Sequence, residues 1–128
     1  GVAFMVETGS YTIYHAGDLN NWRWNGEELA WNNNMSTNYR RELEKIKASG
    51  FHPDVAMVPL DGRQEDLFYL GLDDFMRIVG AEMVFPIPAL KKLDCSAEYR
   101  DRVADIRKDG QRFCFPAFPD NRSGGETT

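Results

Sequence analysis

The sequence predicts an α/β fold, a mixed sheet with helices on one main face. Short apolar runs of strand length alternate with amphipathic stretches of helix length. The resulting order, β-β-loop-α-β-α-β-α-β, puts a helix between most successive strands, which is the connection parallel strands need. No apolar run approaches the ~20 residues that span a bilayer, so the apolar faces are expected to pack against protein.

Residues 2–8, "VAFMVET", form the first expected strand, and 11–16, "YTIYHA", return from a Gly9-Ser10 turn as a hairpin. Residues 19–34 are Asn-rich, which favours irregular structure, and hold Trp22, Trp24 and Trp31. A helix capped by Ser36 or Thr37 follows, with Met35, Tyr39, Leu43 and Ile46 on one face, and Gly50 ends it. Residues 54–60, "DVAMVPL", read as a buried strand and 61–69 as a charged surface loop. Residues 71–80 form a short helix with Leu72, Phe75, Met76 and Val79 inward. The strand 82–87, "EMVFPI", is expected to stop at Pro86 and Pro88. A helix from Ser96 to about Lys108 and a strand at 111–116 complete one domain, residues 1–119, before a loose polar tail at 120–128. The runs "VAFMV", "DVAMV" and "EMVF" are nearly continuous, the mark of strands buried on both faces.

Net charge is −5, which argues against a nucleic-acid partner, because phosphate binding needs a basic surface. The opening residues have no basic segment and no cleavage pattern, so a cytoplasmic protein is the expectation. Cys95 and Cys114 form no metal-spaced pair and read as free thiols.

The chemistry is expected at strand ends. Asp18 follows a strand directly after Gly17, whose missing Cβ lets the backbone turn sharply. Asp61 ends a second strand beside Arg63, and a third strand, "EMVFPI", ends at the same kind of edge without an acid. Open α/β sheets bind ligands outside the carboxyl ends of their strands. His15 lies three residues before Asp18, an odd spacing that points the two side chains to opposite faces, so it reads as a brace for the loop. His52 reads as solvated. The tryptophans could line a cleft or form the loop's own small core, and the second is favoured.

The segments "YTIYHAGDLNNWRW", "DVAMVPLDGR" and "GLDDFMRIVGAEMVFPI" together resemble the C-terminal half of a metallo-β-lactamase-fold hydrolase, in a bacterial subgroup with a His-Ala-Gly-Asp-Leu-Asn-x-Trp segment. The resemblance runs from residue 1 to about 116. It implies half of an αββα sandwich and a metal-dependent hydrolase. Asp18 would match the carboxylate that bridges two zinc or other divalent ions, whose hydroxide attacks the substrate. Asp61 and Arg63 would match a structural turn. The family's His-x-His-x-Asp-His run has no counterpart here, and Pro88 stands where a further metal-binding histidine would be. Catalytic zinc sites need about three protein ligands. The chain alone is therefore expected to be inactive and to hold no cofactor. The alternative is a non-catalytic binding or assembly module that kept the scaffold and lost the metals. With one sheet of two, the chain is expected to dimerise or to take a partner over its uncovered sheet face.

Overall fold

The computed structural model describes residues 2–88 and 112–113, with the backbone alone described at 88, 112 and 113. The elements are β1 (Phe4–Glu7), β2 (Thr12–His15), α1 (Leu29–Ala48), β3 (Val55–Leu60), a 3-10 segment (Gly62–Leu67), α2 (Leu70–Ile78), β4 (Met83–Pro88) and β5 (Arg112–Phe113). The five strands lie in chain order across one sheet. β1 runs antiparallel to β2, and β2 through β5 are parallel to their neighbours. This is the α/β class and mixed sheet that the element order implies. The expected helix at 96–108, both cysteines, most of the strand at 111–116 and the tail at 120–128 lie outside the described residues.

The core sits between the sheet and the two helices. Tyr14, Ala56, Val58, Leu60 and Val84 come from one sheet face. Tyr39, Leu43 and Ile46 of α1 and Leu72, Phe75 and Met76 of α2 close over them. The Tyr14 and Phe75 rings stack with centroids 4.9 Å apart. Burial pushes the Tyr14 hydroxyl's pKa up to about 12, and that buried oxygen has no hydrogen-bond partner among the described residues. Tyr39 donates instead to the Gly71 carbonyl at 2.8 Å. The sheet's parallel strands are tied at their start by Asp54, which accepts from the Thr12 backbone N–H at 2.8 Å.

Four expectations need correction. First, not every strand is buried on both faces, in keeping with the uncovered sheet face expected of the lone chain. Along the first half of β3 and along β4 burial alternates, with Ala56, Val58 and Val84 buried while Val55, Met57 and Phe85 stay half-buried, whereas Val58, Pro59 and Leu60 are buried in succession. β1 is open throughout, with Phe4 at 57%, Met5 at 51% and Val6 at 48% exposure. Met5 pairs with Tyr14 and so shares the helix-covered face, yet the edge position leaves it outside that cover. Second, α1 begins at Leu29 rather than near Ser36. Tertiary hydrogen bonds from Asn32 and Ser36 outweigh their weak helix propensity. Third, Ser36 is therefore a buried residue inside the helix and not its cap. Fourth, β4 runs through Pro86 to Pro88. Proline cannot donate to a ladder, so it suits strand positions with an open side. The described part of β5 pairs only with Met83 and Val84, and β2 pairs with β3 no further than Met57, before Pro59.

Candidate functional site

Parallel pairing brings the carboxyl ends of β2, β3 and β4 to one edge of the sheet. The turn after β2 is set by Gly17, at φ +61, with its N–H donating to His15 Nδ1 at 3.0 Å. A Cβ on Gly17 would lie 2.2 Å from the Val2 carbonyl oxygen, so both conformation and space require glycine. His15 is half-buried and acts as a turn brace through this bond. His52 is exposed. Asp18 is exposed, and its carbonyl accepts from the Trp22 indole N–H at 3.0 Å.

The turn after β3 is built differently. Asp61 is fully buried and accepts from Arg63 Nε on both carboxylate oxygens at 3.0 Å. It also accepts from the Arg63 backbone N–H at 2.9 Å, capping the 3-10 segment. These hydrogen bonds from the Arg63 side chain hold the Asp61 carboxyl below the usual carboxylate range, and they raise Arg63 in return. Asp61 is occupied as a brace and its lone pairs are spent. Pro88 closes β4 opposite Leu60, the last residue before Asp61.

The expectation of a plain surface loop at 61–69 fails at Gln64, which is 1% exposed. Its amide N–H2 donates to the backbone carbonyls of Asn21 at 2.9 Å and Arg23 at 3.0 Å, while its oxygen accepts from Asn20 Nδ2 at 3.0 Å. The chain kinks at the next residue, Glu65, whose φ of 58 and ψ of −127 are unusual for a side-chain-bearing residue. The kink separates inward Gln64 from outward Glu65 and Asp66. Asn21 in turn donates to Asp74 Oδ2 at 2.9 Å and accepts from Ser36 Oγ at 2.9 Å. Asp74 is completed by Arg40 at 3.2 Å. Asn32 clamps Trp24 at both backbone groups, accepting from its N–H at 3.0 Å and donating to its carbonyl at 2.9 Å. Gly71 makes room for all this, since a Cβ there would meet Asn20 Oδ1 at 1.7 Å.

These hydrogen bonds of Asn20, Asn21 and Gln64 form a latch that fixes the loop carrying Trp22 and Trp24. Trp22 and Trp24 stack 5.6 Å apart with an 8° interplanar angle, and the Arg63 guanidinium lies 6.0 Å above Trp24. Trp31 sits apart on α1 at 41% exposure, so the three indoles do not form one loop core. Compared with known proteins, the chain matches no family model, no curated protein and no solved structure. Sequence reasoning singled out Asp18, His15, Trp22, Trp24, Asp61 and Arg63, and the structure gathers them around the two strand-end turns. It missed Asn20, Asn21, Gln64, Gly71 and Asp74. Among the described residues, no three His, Cys, Asp or Glu side chains converge to hold a metal ion. The described residues therefore gather no ligand set for the two-metal centre that the resemblance implies. Among the described residues, no helix is long and apolar enough to cross a membrane.

Proposed function

We propose that this chain is one sheet of a metallo-β-lactamase-like hydrolase scaffold, partial or degenerate, and that it performs no hydrolysis alone. The observation that carries the reading is the unequal use of two acids at one sheet edge. Asp18 remains at the surface at the expected bridging position, while Asp61 is consumed by Arg63. One carboxylate cannot make a catalytic centre that needs about three ligands. Elemental analysis of the dialysed chain tests this. The expected result is no stoichiometric zinc, manganese or iron. About one ion per chain, lost on Asp18→Ala, would overturn it.

A second reading, a non-catalytic binding or assembly module, is favoured by Pro88, whose ring nitrogen cannot ligate a metal in place of an imidazole. Under either reading the half-buried sheet face of Ile13, Val55, Met57 and Phe85, continuous with the exposed β1, is the surface for a second copy or a partner chain. Light scattering at ~100 μM, where a micromolar dimer is saturated, is expected to return more than the monomer mass. A clean monomer would remove the self-association half of this reading. The net charge of −5 supports a partner other than nucleic acid.

A further inference from the structure

We infer that Asn25 is a site of spontaneous deamidation, and that the conversion unties the Trp22–Trp24 loop from Glu65 and Asp66 of the 3-10 segment. The inference goes beyond the hydrolase reading and does not depend on the metal result.

Asn25 stands directly before Gly26, and no other asparagine in the chain precedes a glycine. Both residues are exposed. They occupy the middle of a turn in which the Glu27 N–H donates to the Trp24 carbonyl at 3.3 Å and Gly26 takes a φ of +95. Among the described residues the Gly26 N–H donates no hydrogen bond. A Cβ on Gly26 would meet nothing within 4 Å, so the space around the turn is open for ring closure. The Gly26 nitrogen can give its proton to solvent base and attack the Asn25 Cγ. The N–Cγ bond forms, the Cγ–Nδ2 bond breaks, and Nδ2 leaves as ammonia with a proton returned. Water then opens the succinimide, at Cγ to give aspartate or at the main-chain carbonyl to give isoaspartate. Water enters and ammonia leaves, with no oxidant or reductant.

The chain holds its own contrast. Asp61 also precedes a glycine, but its carboxylate is buried and bonded to Arg63, which leaves it a poor electrophile. Asn20 and Asn21 are buried and are followed by residues whose side chains crowd the attack.

The consequence follows from what Asn25 holds. Its Nδ2 donates to Glu65 at 3.2 Å and to Asp66 at 2.8 Å. A carboxylate at position 25 only accepts, so both bonds are lost and like charges face each other. Glu65 sits at φ 58 and ψ −127, a conformation that persists only while its surroundings hold it. The bonds of Gln64 to Asn20, Asn21 and Arg23 do not involve Asn25. The inward half of the latch therefore stays closed while the outward half lets go.

Peptide mapping by mass spectrometry tests the site, on the purified chain aged in mildly alkaline buffer beside a free peptide of residues 22–28. The expected product has OH in place of NH2 at residue 25, with isoaspartate labelled by an isoaspartyl methyltransferase. Exposed hydrogen bonds hold the amide weakly, so the folded chain is expected to convert within ~10-fold of the peptide rate. A greater lag, or conversion at Asn20 or Asn21 ahead of Asn25, overturns the site. Hydrogen exchange at the Phe68 amide, which donates to the Glu65 carbonyl at 3.2 Å, reads the untying. Asn25→Asp is expected to speed that exchange several-fold, and Asn25→Ala, which loses the bonds without adding charge, to speed it less. Unchanged exchange in Asn25→Asp, or equal exchange in the two variants, overturns untying by charge.

Discussion

Two turns at the same edge of the sheet begin from the same residue type and come to opposite ends. After β2, Asp18 follows a glycine and stays in solvent. After β3, Asp61 precedes Gly62-Arg63 and is sealed beneath a guanidinium. The difference lies in the neighbours. Arg63 supplies donors two residues away, and the 3-10 segment supplies a backbone N–H as well. An acid at a strand end becomes a buried brace when a cation of the same turn can saturate it, and stays at the surface when the turn is set by glycine geometry. The first turn rests on backbone shape and the second on side-chain charge, so different substitutions break them.

The largest effect is expected at Gly17. Valine there would hold a β-branched residue at φ +61 and drive its Cβ into the Val2 carbonyl. Strain and overlap together are expected to cost about 3 kcal/mol or more. For a domain of this size that is roughly 10 °C in melting temperature. A thermal melt matching the parent would mean that the β2 turn does not depend on its glycine.

Asp61→Ala comes next. It removes hydrogen bonds from Arg63 to a buried carboxylate, at an expected cost of about 2 kcal/mol. That figure is kept low because solvent reaches Arg63 and screens the pair. Urea unfolding would measure it. A loss no larger than that for Asp18→Ala would erase the contrast between the two turns.

The charge in the second turn also predicts a pH signature. Asp61 is held below the usual carboxylate range by Arg63, and Asp54 is lowered by the backbone N–H and the hydroxyl of Thr12. A depressed folded value means stability that is complete above the unfolded value, near pH ~4, and lost as pH falls through the lower folded one. Unfolding curves across the acid range are expected to fall on that limb. Asp61→Asn is expected to flatten it in part and leave the Asp54 share. An unchanged acid limb in the variant would show that Arg63 does not hold the Asp61 charge.

These contrasts were only partly legible in the sequence. Gly17 was, because an abrupt strand end at Gly-Asp demands a residue free of Cβ strain. Asp61 and Arg63 were in part: the residues read as an acid at a strand end beside a base, and their role as a brace came only as what the family resemblance implies. The latch was not. Asn20, Asn21 and Gln64 look like loop residues until it is known that Gln64 bonds back to the Asn20–Arg23 loop and that Asn21 meets Ser36 of α1 and Asp74 of α2, partners that lie far apart along the chain. One signal was available. Asn32 and Ser36 continue the spacing of Tyr39, Leu43 and Ile46, all buried on one face of α1. Polar residues on an apolar stripe mark a helix that begins earlier and buries hydrogen bonds as well as carbon. The edge strand was misread for the opposite reason. "VAFMV" is apolar enough for a core, yet its position beside β2 alone decides its exposure, and composition does not encode position.

The smallest effect is expected at Asp18. Its side chain is exposed, so truncation to alanine buries no new group and opens no cavity. Acceptance of the Trp22 indole N–H uses the backbone carbonyl, which alanine keeps. An exposed carboxylate contributes about 0–1 kcal/mol, and Asp18→Ala is expected to stay within that range. The Trp22–Trp24 stack is expected to persist, visible as an unchanged tryptophan emission maximum in the variant. A loss above about 2 kcal/mol, or a shifted maximum, would place Asp18 among the braces with Asp61.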